Sequence, residues 1–209
     1  MKSTLDSYHK QGMELKKEGT PSDKGLALIW IDMEMTGLDP EKDTILELAT
    51  IVTDPQLNII GEGPEIAVFH DDNVLNAMDE WCQEHHGNSG LIKRVQNSSV
   101  TMKEAEEQTI AFLQNHVAAS LSPLCGNSVH QDRLFISKYM PKLNRYLHYR
   151  NIDVSTVKEL VRRWYPDLPE FEKTGQHTAL KDIQESLEEL KYYRLHVFPS
   201  EPIMNNTSN

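Results

Sequence analysis

Two carboxylates close an apolar run in "LIWIDMEMTGLDP", where Asp32 and Glu34 follow Leu28, Ile29, Trp30 and Ile31. Residues two apart on a strand project from the same face, so both acids point one way. A lone D-x-E is common and most often marks exposed acids at a strand end. It carries chemistry only with partners elsewhere. "GNSVHQDRLF" supplies Asp132, early in a helix that follows a strand and so near the carboxyl edge of the sheet, where open α/β sheets form their sites. "HTALKDI" supplies His177 and Asp182. Five helical steps rotate about 500°, leaving those two about 140° apart, so they cannot share a helix face. His177 is therefore expected in the loop before the helix, with Asp182 on the first turns.

Four carboxylates and a histidine make a much sharper constellation than any one of them. Oxygen-only ligands select the hard cations Mg²⁺ or Mn²⁺ over zinc. Four acids exceed the needs of one magnesium ion, which keeps several waters. They suit two divalent ions about 4 Å apart, which clamp the attacking and leaving oxygens of a phosphoryl displacement. His177, with an unperturbed pKa of about 6.5, is suited to take a proton from the attacking water.

The elements that must position these groups can be read from pattern. Residues 26 to 34 read as a buried strand, and "TILELATIVTD", "LNIIGE" and "EIAVFH" as three more, separated by Pro, Gly and Asn. Helical spacing follows His70. Thr101 and Glu104 form a capping box before Met102, Ala105, Phe112, Leu113 and Val117. "PLCGN" is a short strand, with Asn127 or Ser128 as cap of a helix striped by Phe135, Ile136, Tyr139 and Met140 and stopped by Pro141. "NIDVSTV" is a further short strand leading into a helix over about 155–165, and a last helix spans about 178–197 with Ile183, Leu187, Leu190 and Arg194 on one face. Antiparallel strands first and strand–helix alternation later predict an α/β fold, a mixed sheet flanked by helices. Residues 1–24 read as a loose polar leader, 25–198 as one domain, and 199–209 as a disordered tail.

Composition narrows the partners. The 209 residues carry a formal net charge of -11, whereas proteins that grip long nucleic acids present a basic face. A small anionic substrate held by local cations fits better than a long polymer. No apolar run reaches the roughly 18 residues of a membrane span, and two cysteines, Cys82 and Cys125, suit a reducing cytoplasm rather than a disulfide scaffold. "CQEHH" lacks the paired spacing of a structural zinc site, and "HHGNSGL" lacks the strand that precedes a phosphate loop.

The set Asp32, Glu34, Asp132, His177 and Asp182 resembles the DEDD 3′-5′ exonucleases of the histidine subclass, which have a ribonuclease H-like fold. The resemblance is strongest to the members acting on oligoribonucleotides. It is carried in order by "WIDMEMTGLDPEKDTILELATIVTD", "MDEWCQEHHGNSGL", "GNSVHQDRLF", "YRNIDVST" and "HTALKDIQESLEELKYYR", from about residue 26 to 198. It implies hydrolysis of very short RNAs, down to dinucleotides, to nucleoside 5′-monophosphates, with two metal ions and in a homodimer. By position, Leu38 matches a wedge between bases, Trp81 its aromatic partner, and His86 a group near the substrate. Ser128, Arg150, Ser155 and Thr156 match groups that cap the substrate's 5′-phosphate, with Tyr149 reaching over from the other subunit. Arg150 offers phosphate a planar fork, and Ser155 and Thr156 at a helix N-terminus suit an anion. His130 stands where the family has a small residue, and Lys181, expected to face solvent, where it often has an acid. Relatives acting on DNA or transfer-RNA ends, or a catalytically silent nucleic-acid-binding module, are the competing readings. Such relatives need a longer cleft, and a silent module has little use for all four acids.

Overall fold

The computed structural model describes residues 26–173 and 178–198. Its centre is β1 (Leu28–Met35), paired antiparallel with β2 (Ile45–Thr53) on one side and parallel with β5 (Leu124–Gly126) on the other. Strands β3 (Ile59–Glu62) and β4 (Ile66–Ala67) pair antiparallel with β2, and β6 (Asn151–Asp153) pairs parallel with β5. The mixed sheet therefore runs β3-β2-β1-β5-β6, as the alternation of patterns predicts. The run "EIAVFH" contributes only the two residues of β4 to it.

Alternation along β1 separates two cores. Ile29, Ile31, Met33 and Met35 pack on one face with Phe135, Ile136, Met140 and Leu143. These come from α5 (His130–Tyr139) and α6 (Pro141–Tyr146), beneath α4 (Met102–Gln114), whose Thr101–Glu104 capping box is formed. Trp30 packs on the other face with Ala49, Ile51, Cys125, Val154, Val161, Ile183 and Leu187. That face is covered by α7 (Val154–Trp164) and α8 (Ala179–His196). With both faces covered, β2 is buried along its whole length, and the Trp30 indole N–H is satisfied by the Thr53 hydroxyl at 3.1 Å. Three short helices, α1 (Asp72–Asn76), α2 (Glu80–Asn88) and α3 (Leu91–Asn97), fold against the end of β2 around Leu46.

Two caps differ from expectation. Neither Asn127 nor Ser128 caps α5: Val129 occupies the N-cap position, Asn127 donates to Glu189, and Ser128 adopts a left-handed φ of 50°. The sharp turn from β5 into α5 needs that backbone bend, which takes both side chains away from the helix end. At α7 the cap is Asp153, whose carboxylate accepts from the Ser155 amide at 2.9 Å, so Ser155 and Thr156 lie in the first turn. Pro141 ends α5 as expected and then opens α6, since its missing N–H costs nothing at a first helical position.

Phe135 is fully buried one turn after Asp132. Phe135→Ala should cost about 3–5 kcal/mol of folding stability, read as a lowered urea midpoint at unchanged slope. A loss below about 1 kcal/mol would mean that α5 is not seated on the sheet as described.

Candidate active site

Asp32 and Glu34 leave β1 on the Trp30 face, toward α8. Asp182 lies in the first turn of α8, and carboxylate oxygens of Asp32, Glu34 and Asp182 all fall within 4.8 Å of one another. Three acids from two elements are thus brought together. Asp132 approaches from the first turn of α5, at the carboxyl edge of β5; it is buried, and the amides of Asp132 and Met33 hydrogen-bond its carboxylate. His177 lies outside the described residues, directly before Thr178, which precedes α8.

Crowding and burial oppose ionisation here. Burial, then the charges of Asp132, Asp182 and Glu34, hold the Asp32 carboxyl well above its ordinary range, with Lys173 acting the other way. Burial, Asp182 and Glu47 push Glu34 up to about 7 against the opposing charge of Arg94. Burial, with help from Asp153 and Glu34, pushes Asp132 up to about 7 despite its backbone hydrogen bonds. A buried like-charge cluster of oxygen donors is what hard divalent cations neutralise, so these residues fit the metal chemistry expected of them.

A second layer of charge supports Glu34. Glu47 stands directly opposite it in the β1–β2 register and is buried, a repulsive arrangement if left alone. Arg94 of α3 resolves it with a two-pronged contact: Nε and Nη2 each lie 2.9 Å from a Glu47 oxygen, while Nη1 donates to the Ser89 carbonyl. Sequence pattern did not single out this pair, because its two residues lie 47 apart and each reads as an ordinary surface charge.

The predicted substrate groups fall into four places. Leu38 is 72% exposed at the tip of the turn after β1. Gly37 is required there, since a Cβ would sit 2.5 Å from the Asp43 carboxylate, which itself binds the Thr36 hydroxyl and the Asp39 amide. The side chain of Gln131, beside Asp132, donates to the Leu38 carbonyl and ties this turn to α5. Trp81 is 66% exposed on α2 and stacks on His85 with ring centroids 4.6 Å apart. His86, on the same helix, is buried; its Nε2 donates to the Met35 carbonyl at 2.9 Å. Its Nδ1, 3.8 Å from a Glu34 oxygen, has no hydrogen-bond partner among the described residues. Burial, with His85, lowers the His86 pKa against the effect of the Met35 contact.

Ser128, Ser155 and Thr156 line one open cavity together with His130, Asp153 and Arg163. Asp153 accepts from the amides of Ser128 and Ser155, and the two serine hydroxyls lie 3.3 Å apart. Arg150 does not line this cavity. It lies before β6, at the far end of that strand from Ser155, where its guanidinium sits over the Tyr149 ring at 5.2 Å. Tyr149 is 73% exposed. Lys181 is exposed, as expected.

The chain is similar to known exonucleases. The RNase T exonuclease family model matches residues 29–190. An oligoribonuclease of Shewanella loihica is 62% identical over 172 residues, covering 82% of this chain and 95% of the relative. One of Alcanivorax borkumensis is 59% identical over 176 residues, covering 84% and 97%. Among solved structures, exonuclease I of Methylocaldum szegediense aligns with a TM-score of 0.63 at 18% identity over 82% of this chain. The zinc-bound complex of E. coli exonuclease I with single-stranded DNA aligns with a TM-score of 0.65 at 16% identity over 81%. The chain spans about two fifths of those exonuclease I chains, 41% and 40%, and they share its fold.

The raised acids set a direction for pH. Glu34 and Asp132 titrate near 7 in the fold, against ordinary values of 4.5 and 3.8, so the folded protein holds their protons more tightly than the unfolded chain. Below about pH 4 both states are protonated and the difference vanishes; above about pH 7 both are ionised and the full penalty applies. Metal-free protein should therefore lose stability as pH rises from about 4 to about 7, by on the order of 5 kcal/mol between pH 4 and pH 8, and recover it on adding Mg²⁺ or Mn²⁺ at pH 8. Urea titrations in EDTA and in metal measure this; equal stability at both pH values without metal would contradict the assigned cluster.

Proposed function

The chain belongs to the oligoribonucleases, within the RNase T exonucleases, and from that membership we propose that it hydrolyses very short RNAs from the 3′ end, dinucleotides above all, releasing nucleoside 5′-monophosphates. The observation that carries the reading is the convergence of Asp32, Glu34 and Asp182 within 4.8 Å at the end of the central strand.

Asp32, Glu34, Asp132 and Asp182 would hold a pair of divalent cations, Mg²⁺ or Mn²⁺, directly or through water. Bound there, the cations supply charge stabilisation for the attacking and leaving oxygens. Arg94 keeps Glu47 neutralised, so that Glu34 faces the site without a free carboxylate behind it. His177, as general base, takes the proton of the attacking water. Leu38 and Trp81 offer exposed apolar and aromatic surfaces against which bases stack, a contact worth about 1–3 kcal/mol per base. Ser128, Ser155 and Thr156 receive the 5′-phosphate in their cavity, where Asp153 accepts from the amides of Ser128 and Ser155 and the two serine hydroxyls lie 3.3 Å apart.

Tyr149 reaches into a neighbour's site, and Arg150 offers its guanidinium fork to the 5′-phosphate. The two share one exposed corner, with the guanidinium over the ring, and a ring so exposed supports a homodimer in which each subunit completes the other's site. A cytoplasmic location fits Cys82 and Cys125, which are buried free thiols, and no helix among the described residues is long and apolar enough to cross a membrane.

Steady-state rates on a ladder of 5′-phosphorylated RNAs, with and without EDTA, test the reaction. A cavity that closes the 5′ end should make kcat/KM highest for the dinucleotide, falling at least about tenfold by four or five nucleotides, because a longer chain displaces its phosphate from charged hydrogen bonds. Equal or rising efficiency with length would favour an open exonuclease that trims DNA or transfer-RNA ends. Activity that survives EDTA would remove the metal mechanism.

Subunit mixing tests the shared site. Asp132→Asn should lower turnover by roughly three orders of magnitude, and Tyr149→Ala should lower it without touching its own carboxylates. A hybrid of the two variants contains one site with intact acids and an intact tyrosine from across the interface. Activity should reappear on mixing; no recovery after confirmed exchange would sink the shared-site idea.

A further inference from the structure

One buried carboxylate takes no part in the chemistry above. Glu189 lies on α8 seven residues beyond Asp182, so about two turns bring both to the same face. Its side chain is fully buried and meets groups from three other segments. Asn127 Nδ2 donates to one oxygen at 2.9 Å, and Lys173 Nζ lies 3.1 Å from that oxygen. The Tyr193 hydroxyl donates to the other oxygen at 2.9 Å, and Lys158 Nζ lies 3.4 Å from it. Burial alone would raise the Glu189 pKa, but Asn127, Lys173 and Tyr193 outweigh it and hold the group below its ordinary range.

Stability alone does not explain such a hub. A buried ion-pair cluster is often no more stabilising than apolar residues of the same volume, whereas its directed bonds fix geometry. The partners tell what geometry is fixed. Asn127 immediately precedes Ser128, one wall of the 5′-end cavity. Lys158 lies within one turn of Ser155 and Thr156, the other wall. Those walls belong to different elements, and one carboxylate ties both to the helix that carries Asp182.

We propose that Glu189 is a positioning residue that sets the separation between the carboxylate cluster and the 5′-end cavity, and so determines how long a substrate fits. The inference rests on the proposed function, which places the two ends of the substrate at those sites. A dinucleotide that engages both ends depends on the separation; a longer RNA, already displaced from the cavity, does not.

Asn127→Ala and Lys158→Met each cut one arm of the link, and Glu189→Gln removes its charge; should Glu189→Gln fail to fold, the two single-arm variants carry the test. Rates on 5′-phosphorylated di-, tri- and pentanucleotides are compared with wild type, alongside Mn²⁺ affinity by calorimetry and the melting temperature. Misplacement of a substrate by an ångström can cost about a hundredfold, so a partial loosening should lower kcat/KM for the dinucleotide about tenfold. The pentanucleotide should change less than about twofold, with Mn²⁺ affinity unchanged, so that the length preference narrows. Folded variants that lose activity on all lengths in equal proportion, or retain the wild-type length ratio, would overturn the inference. A wild type with no length preference would overturn the proposed function itself, and this inference with it.

Discussion

Repulsion among buried carboxylates at the end of β1 is the constraint around which the rest of the molecule is arranged. A strand that ends in Asp32 and Glu34 and faces Asp182 across a few ångströms gains nothing from these groups in folding; burial and mutual charge both work against their ionised form. Such a cluster persists because the surrounding structure holds it. Trp30 and Ile183 bury the adjoining face, while Phe135 and Ile136 seat α5 beneath the other. Nearby buried acids are matched one by one, Glu47 with Arg94 and Glu189 with two lysines, while Asp32, Glu34 and Asp182 bring three carboxylates within 4.8 Å of one another. Strain of this kind is an ordinary signature of a functional site.

The same economy governs the turn beyond the strand. The β1–β2 register shifts between Glu34 and Met35, ending regular pairing beside the site. From there the chain folds over the Asp43 carboxylate, which only a glycine at position 37 allows, and presents Leu38 outward. Two side chains pin the exit: His86 on the Met35 carbonyl and Gln131 on the Leu38 carbonyl. One comes from the helix that carries Trp81 and the other from the helix that carries Asp132. The exposed Leu38 and Trp81 and the acids are therefore connected through a few backbone carbonyls, and a shift of either helix moves both.

Much of this was legible in the residues. Strand alternation and helix stripes put Asp32 and Glu34 on one face, Asp132 at the carboxyl edge of β5, and Asp182 in the first turn of α8, because period and cap chemistry are local signals. Local signals fail where tertiary contacts decide. Asn127 and Ser128 look like N-caps, yet a left-handed Ser128 and the pull of Glu189 take them elsewhere. Arg150 reads as one more phosphate ligand, yet it stands outside the lining of the cavity that Ser128, Ser155 and Thr156 share. Arg94 and Glu189 carried no signal at all: what distinguishes each from a surface charge is a partner dozens of residues away. Sequence shows which groups do chemistry more readily than which groups hold them still.

An acidic protein that handles a polyanion must supply attraction locally. With a net charge of -11, the exterior offers a long RNA little help, so attraction must come from fixed places such as the acidic cluster, once cations neutralise it, and the cavity lined by Ser128, Ser155, Thr156 and Arg163. Each of these contacts has a fixed place, so attraction does not grow as the substrate lengthens. A basic groove would add affinity with each further phosphate and so favour long chains. Without such a groove, added phosphates bring little added attraction, since the exterior as a whole is acidic. Selectivity for short RNA then follows from where the positive charge is absent as much as from where hydrogen bonds are placed, and it needs no element that measures length beyond the struts separating the two ends.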